Sequence, residues 1–217
     1  MAEFPNLELF LAGGAVRDVL LDQAHPRKDF DFFIDGVDPE WVIAILGRLG
    51  TVSWGPFGSP RWFPAGSTQS YCDIIHIRRF WNGVGHCQSI VDALRQFDFT
   101  ANAVAIDVKN GTFFDPVSGS KDIERHVMRA VRLDYPDEPI SELCTLTRLS
   151  VLWFRILHYA AICRLKIEVE TRKWLIRNSA YREDYNTFAT VFFTPHEQAF
   201  SIVDKRSRAA PLDRKRH

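Results

Sequence analysis

Apolar positions along the chain change rhythm several times, and each change predicts an element. Leu7 to Ala12 is a short apolar run ending at Gly13-Gly14, after which Ala15 to Leu21 repeat apolar residues at helical spacing. This predicts strand, turn and helix. Phe30 to Ile34 predicts a second strand. Asp38 and Pro39 then supply the cap and first-turn residue of a helix through Trp41, Ile45, Leu46 and Leu49, which Gly50 stops. From Thr51 to Arg79 the β-rich composition, broken at Gly55-Pro56, Gly58 to Pro60 and Gly66, predicts about three strands, the last being Tyr71 to Ile77. A helix is expected over Ser89 to Phe97. A hairpin is expected where Val104 to Val108 and Thr112 to Phe114 flank Asn110-Gly111, with a short helix after it around Lys121 to His126.

The proline- and acid-rich segment 132–141, RLDYPDEPIS, reads as a connector, and the rhythm changes beyond it. Leu143 to Leu165 and Glu168 to Ile176 carry apolar residues at helical spacing, and Thr187 to Val203 predicts a third helix interrupted at Pro195. The expected division is therefore a head over residues 1–135, a helical region over 142–205 and a basic, disordered tail over 206–217.

Composition narrows the class. A hydrophobic fraction of 46% and a charged fraction of 25% are those of a folded globular protein. No run approaches the ~18 apolar residues of a membrane span. The N-terminus lacks a basic start, a long apolar core and a small-residue cleavage site, so the expected home is the cytoplasm. Cys72, Cys87, Cys144 and Cys163 form no CxxC pair and suit neither a disulfide framework nor a zinc site. The formal charge is zero but uneven: residues 1–120 carry 9 Lys/Arg against 14 Asp/Glu, and residues 121–217 carry 18 against 13. An acidic, metal-holding half joined to a basic half that meets a polyanion fits that asymmetry.

The candidate chemistry lies in residues 11–35, LAGGAVRDVLLDQAHPRKDFDFFID. Side chains two apart on a strand share a face, so Asp29 and Asp31 point one way and Phe30 and Phe32 the other. Two carboxylates so placed can share divalent ions. Oxygen-only ligands suit Mg²⁺, with Mn²⁺ as a substitute. A bare pair of this kind more often faces solvent, but here it comes after a Gly-Gly turn. Gly13 and Gly14 let backbone approach phosphate, and the helix opening there aims free N–H groups at an anion. Arg17, one turn in, can grip the same phosphates, with Asp18 orienting it.

GGxVRD with DxD in the next strand resembles the head of class II CCA-adding enzymes and bacterial poly(A) polymerases, within the polymerase β nucleotidyltransferase superfamily. Asp98 to Ala103, DFTANA, resembles that family's RRDFTINA block. Asp115-Pro116 with Gly119 and Asp122 resembles its DPxGG-x-DL stretch. Phe154 to Ala161, then Ile167-Glu168 and Glu170-Thr171, resemble its LRxxRFAA helix and the helix after it.

The resemblance implies an α+β fold: a polymerase β-like head with a mixed sheet and flanking helices, then a small all-helical neck-like region. It implies a nucleotidyltransferase that moves AMP or CMP from ATP or CTP to an RNA 3′ end, with tRNA among the acceptors, and releases pyrophosphate. Asp29 and Asp31 would be its metal ligands, Asp73 in YCDII a third catalytic carboxylate, and Gly13, Gly14, Arg17 and Asp18 its triphosphate site. Asp98 and Asn102 would bind the sugar or the loop around it, and a carboxylate at Asp98 suits a ribose hydroxyl.

The chain also departs from the family pattern. Gln96 and Phe97 stand where the family has two arginines, leaving Arg95 to compensate. Leu152 stands at the first arginine of the base-reading helix, so Arg148 and Arg155, seven apart on one face, are the substitute pair. The chain ends soon after the neck would begin, which leaves Trp153, Tyr159, Trp174 and Tyr181 as candidates to stack on the acceptor. These departures leave two other readings open: nucleotidylation of a protein or small molecule, and a non-catalytic nucleotide- or RNA-binding module.

Overall fold

The computed structural model describes residues 5–23, 29–55, 57–67, 70–81, 83–141, 144–201 and 203–204. The basic tail at 206–217 lies outside the described residues. Strand β1 (Glu8–Ala12) runs into helix α1 (Gly14–Leu20), and β2 (Asp29–Asp35) returns antiparallel to β1. Helix α2 (Pro39–Leu49) is capped by Asp38, whose side chain accepts from the Glu40 amide at 3.0 Å. Strands β3 (Gly50–Trp54), β4 (Pro60–Pro64) and β5 (Tyr71–His76) come next, then α3 (Ile90–Leu94), β6 (Ala105–Asp107), β7 (Phe113–Phe114) and α4 (Gly119–Glu124). The seven strands form one mixed sheet in the order β3-β4-β5-β2-β1-β6-β7. β2 is thus its middle strand, antiparallel to β1 and parallel to β5.

Alternation along β2 decides where the chemistry goes. Phe33 shares a face with Asp29 and Asp31. It is buried with Phe10, Ala12 and Ala105 of the sheet against Ile90, Ala93 and Leu94 of α3. The two aspartates continue that face where the apolar cover ends. They therefore stand at the mouth of a core rather than on an open strand.

A second core joins the head to the C-terminal helices. Helix α5 (Arg148–Ile162) buries Ser150 to Phe154 and Ile156 to His158, nearly its whole circumference, as a central helix must. Trp153 donates from Nε1 to the Leu175 carbonyl of α6 (Val169–Arg177) at 2.9 Å, and Phe154 stacks on Phe188 of α7 (Tyr185–Val191) at 4.6 Å. Phe99, Ile123 and Met128 pack into the same cluster.

The region expected to be all-helical, 142–205, also holds the short strands β10 (Cys144–Thr147) and β11 (Lys166–Ile167), which pair with β9 (Pro139–Ser141) and, in parallel, with β8 (Val127–Met128). The helix expected from Leu143 starts only at Arg148, because Thr147 caps it by accepting from the Ser150 amide at 3.2 Å. Segment 132–141 is accordingly more than a connector. The third helix ends at Val191, ahead of Pro195. All four cysteines are free thiols. No helix among the described residues is long and apolar enough to cross a membrane.

Candidate active site

Where β2, β5, α1, α5 and the loop before β6 converge, a cleft of about 640 Å³ opens. Gly14, Arg17, Asp29, Asp31, Asp73, Asp98, Asn102, Arg148 and Arg155 all line it. Asp31 is flanked in register by Ala12 on β1 and by Asp73 on β5. Gly13 does not line the cleft itself but shapes it. Its φ of +73° favours glycine, and a Cβ there would lie 2.8 Å from Asp31 Oδ2. The missing side chain is what lets the carboxylate stand against the turn that opens α1.

The donor chemistry at this spot fits a hard divalent ion. Among the described residues no group of three or more His, Cys, Asp or Glu side chains forms a metal cage. An ion would therefore rest on Asp29 and Asp31 and take its other ligands from phosphate and water, the arrangement Mg²⁺ favours. Asp73, the third expected carboxylate, is engaged elsewhere. Arg61 of β4 donates to it in a fork, Nε to Oδ1 at 2.9 Å and Nη2 to Oδ2 at 3.1 Å, and lies 4.1 Å over the Tyr71 ring. The hydrogen bond with Asp73 holds the Arg61 guanidinium above its ordinary range. Sequence reading missed Arg61. Its only signal was a cross-strand partnership with Asp73, which needs the β4–β5 register to be seen.

Arg17 is 3% exposed and tightly held. It donates from Nε to Asp18 at 2.8 Å and from Nη1 to the Asn102 side-chain oxygen at 2.6 Å, with its guanidinium 4.7 Å over the Tyr159 ring. Asn102 in turn donates to Asp98 at 3.3 Å, and Asp98 accepts from Arg155 Nε at 2.7 Å. Arg155 also lies 5.3 Å over Tyr159, so this ring is shared by two guanidinium groups. The result is one continuous chain, Asp18–Arg17–Asn102–Asp98–Arg155, of which all but Asp18 line the cleft. Burial works against the charge on Arg155, but the Asp98 carboxylate outweighs it and raises its pKa.

Arg95, beside the missing arginines, and Phe97, at the position of one of them, behave differently from each other. Arg95 caps the C-terminus of α3, is exposed, and is not brought to the cleft lining. The helix points it away because its neighbours Leu94 and Gln96 take the buried side, Gln96 donating to the Gly85 carbonyl at 2.7 Å. Phe97 instead lines the cleft wall and packs against Phe33 at 5.6 Å. Of the expected stacking residues, Trp153 and Trp174 belong to the core. The exposed aromatics at the cleft are Trp54, Phe57 and Trp81.

His158, next to this network, is buried and accepts the His196 amide on Nδ1 at 3.0 Å. Burial, with Arg155, His196 and Arg17 adding to it, pulls its pKa from 6.5 down to about 4. A neutral histidine in the fold favours the folded state at high pH. Stability should be fully present above pH 6.5 and fall as the pH drops towards about 4, because the unfolded chain takes up the proton first. Thermal unfolding of the wild type and of His158→Gln across that window measures this. The variant should show a shallower loss.

Residues 67–129 match the poly A polymerase head domain. The chain is 32% identical over 164 residues to the multifunctional CCA protein of Xylella fastidiosa (strain M23), covering 69% of this chain and 37% of that protein. The multifunctional CCA protein of Xanthomonas oryzae pv. oryzae (strain MAFF 311018) matches with the same identity and coverage. The chain thus spans little more than a third of the length of these relatives. Among solved structures, a tRNA nucleotidyltransferase complexed with a primer tRNA and an incoming ATP analog superposes with a TM-score of 0.67 at 22% identity, over 95% of this chain and 58% of that one. A CCA-adding enzyme in complex with ATP gives 0.67 at 20% identity, over 94% and 47%.

Proposed function

Because the chain belongs to the family of poly A polymerase head domains and CCA-adding enzymes, we propose that it is a metal-dependent nucleotidyltransferase that adds AMP or CMP from ATP or CTP to an RNA 3′ end. The observation that carries this reading is the convergence of Gly14, Arg17, Asp29, Asp31, Asp98 and Asn102 on one cleft from separate parts of the chain. In the reaction the RNA 3′-oxygen bonds to the α-phosphorus, the bond to the bridging oxygen breaks, and pyrophosphate leaves while the hydroxyl proton passes to solvent.

Asp29 and Asp31 would hold Mg²⁺, which when bound neutralises phosphate charge and acidifies the attacking hydroxyl. The rest falls to the chain itself. The Gly13-Gly14 backbone admits the triphosphate close to Asp31. Arg17, kept in place by Asp18 and Asn102, supplies positive charge without a reorganisation step. The ribose would meet Asp98 and Asn102. Arg148 and Arg155, both in the cleft wall, would meet the base. tRNA in the cytoplasm is the acceptor and compartment this reading implies, with the head over 1–135 doing the chemistry.

The test is an NTP panel with Mg²⁺ against tRNA lacking its CCA end and against unstructured RNA. Incorporation of ATP or CTP at the 3′ end supports the reading. No incorporation from any NTP onto either RNA rejects it, and label appearing on a protein instead would assign the alternative acceptor.

A further inference from the structure

Asp73 faces Asp31 across the β2–β5 pair, and Asp29 lies on the same strand face. Among the described residues the three do not converge into one metal cage, and a half-buried carboxylate such as Asp73 is stabilised by a cation beside it. Arg61 is such a cation. Both oxygens of Asp73 are taken by its fork, and side-chain exposures of 24% for Arg61 and 15% for Asp73 place the pair within the cleft wall. Tyr71 lies beneath the guanidinium at 4.1 Å and fixes its plane. Arg61 is the second residue of β4, after Phe57, Gly58 and Ser59, which with Pro60 line the same cleft, so it enters from a different wall than α1 or α5.

We propose that Arg61 is a positioning residue that occupies Asp73 as a built-in counter-cation and competes with a divalent ion for that carboxylate. This rests on the reading of Asp29 and Asp31 as the ion-holding pair. Release of Asp73 completes the oxygen set around the ion, and the freed guanidinium is left on the cleft wall, where its planar fork suits a phosphate. Ion binding and the position of Arg61 are then two ends of one equilibrium.

Titrating the full chain with Mn²⁺ alone, monitored by electron paramagnetic resonance, reads this without turnover. Arg61→Gln should bind Mn²⁺ about fivefold more tightly than the wild type, the scale of a modest coupling between two ligands of one group. Arg61→Lys, which keeps charge but loses the fork, should fall between them. In an Asp73→Asn background the Arg61→Gln gain should vanish. Unchanged or weaker Mn²⁺ affinity in Arg61→Gln with an unaltered unfolding temperature would overturn the proposal, as would a gain that persists in Asp73→Asn. If the wild type binds and Asp31→Asn does not, the ion-site reading survives whatever Arg61 does. If the wild type binds no Mn²⁺, both fail.

Discussion

Asp31→Asn is expected to lower nucleotide incorporation by at least about 10³-fold while leaving the fold intact. Asparagine keeps the shape of the side chain and the pairing of β2 with Ala12 and Asp73 on either side. What it loses is the charge and one of two acceptor oxygens, both of which a hard ion requires. The position leaves little room for a substitute, since Asp31 Oδ2 lies 2.8 Å from where a Gly13 Cβ would be. Steady-state incorporation at saturating NTP, paired with thermal unfolding, measures the effect. Retention of more than about a tenth of wild-type activity would assign the charge-bearing role elsewhere, and a lowered unfolding temperature would point to a structural cause.

Local patterns make much of this site legible in the amino-acid order alone. The Gly-Gly turn, the DxD strand and the capped helix at Asp38 each rest on interactions within a few residues, where period and cap chemistry suffice. The path of Cys144–Thr147 does not yield to the same logic. Its alternation of half-buried and exposed or buried positions is too short to outweigh the apolar helix after it, and its strand partner is a hairpin with Pro139–Ser141. Arg95 misleads for a related reason. Nearness in sequence to Asp98 says nothing about direction at a helix end, and burial of Leu94 and Gln96 fixes that direction. Arg61 and Tyr159 are harder still, because their importance is a matter of contacts across strands and helices: Tyr159 joins two arginines from α1 and α5 that lie far apart in the chain.

That shared ring and the Asp98 link make Asp98→Ala the second large effect, expected in stability as well as catalysis. Removing the carboxylate leaves the Arg155 guanidinium, on a side chain 24% exposed, without its 2.7 Å partner, and takes acceptors from the Phe99 amide and the Asn102 side chain. Breaking one side of a mostly buried pair should cost about 2–4 kcal/mol. Asn102 would then hold Arg17 less firmly, so KM for NTP should rise along with the loss of stability. Adding Arg155→Met to Asp98→Ala removes the orphaned charge and should restore about half of the lost stability. It should leave KM raised, because Asn102 still lacks Asp98. Urea unfolding of the two single variants and the double variant, with NTP kinetics on each, separates the two consequences. A loss below about 0.5 kcal/mol in Asp98→Ala, within the range of an ordinary surface change, would show that Arg155 and Asn102 are held by their packing around Tyr159 and not by the charge between them.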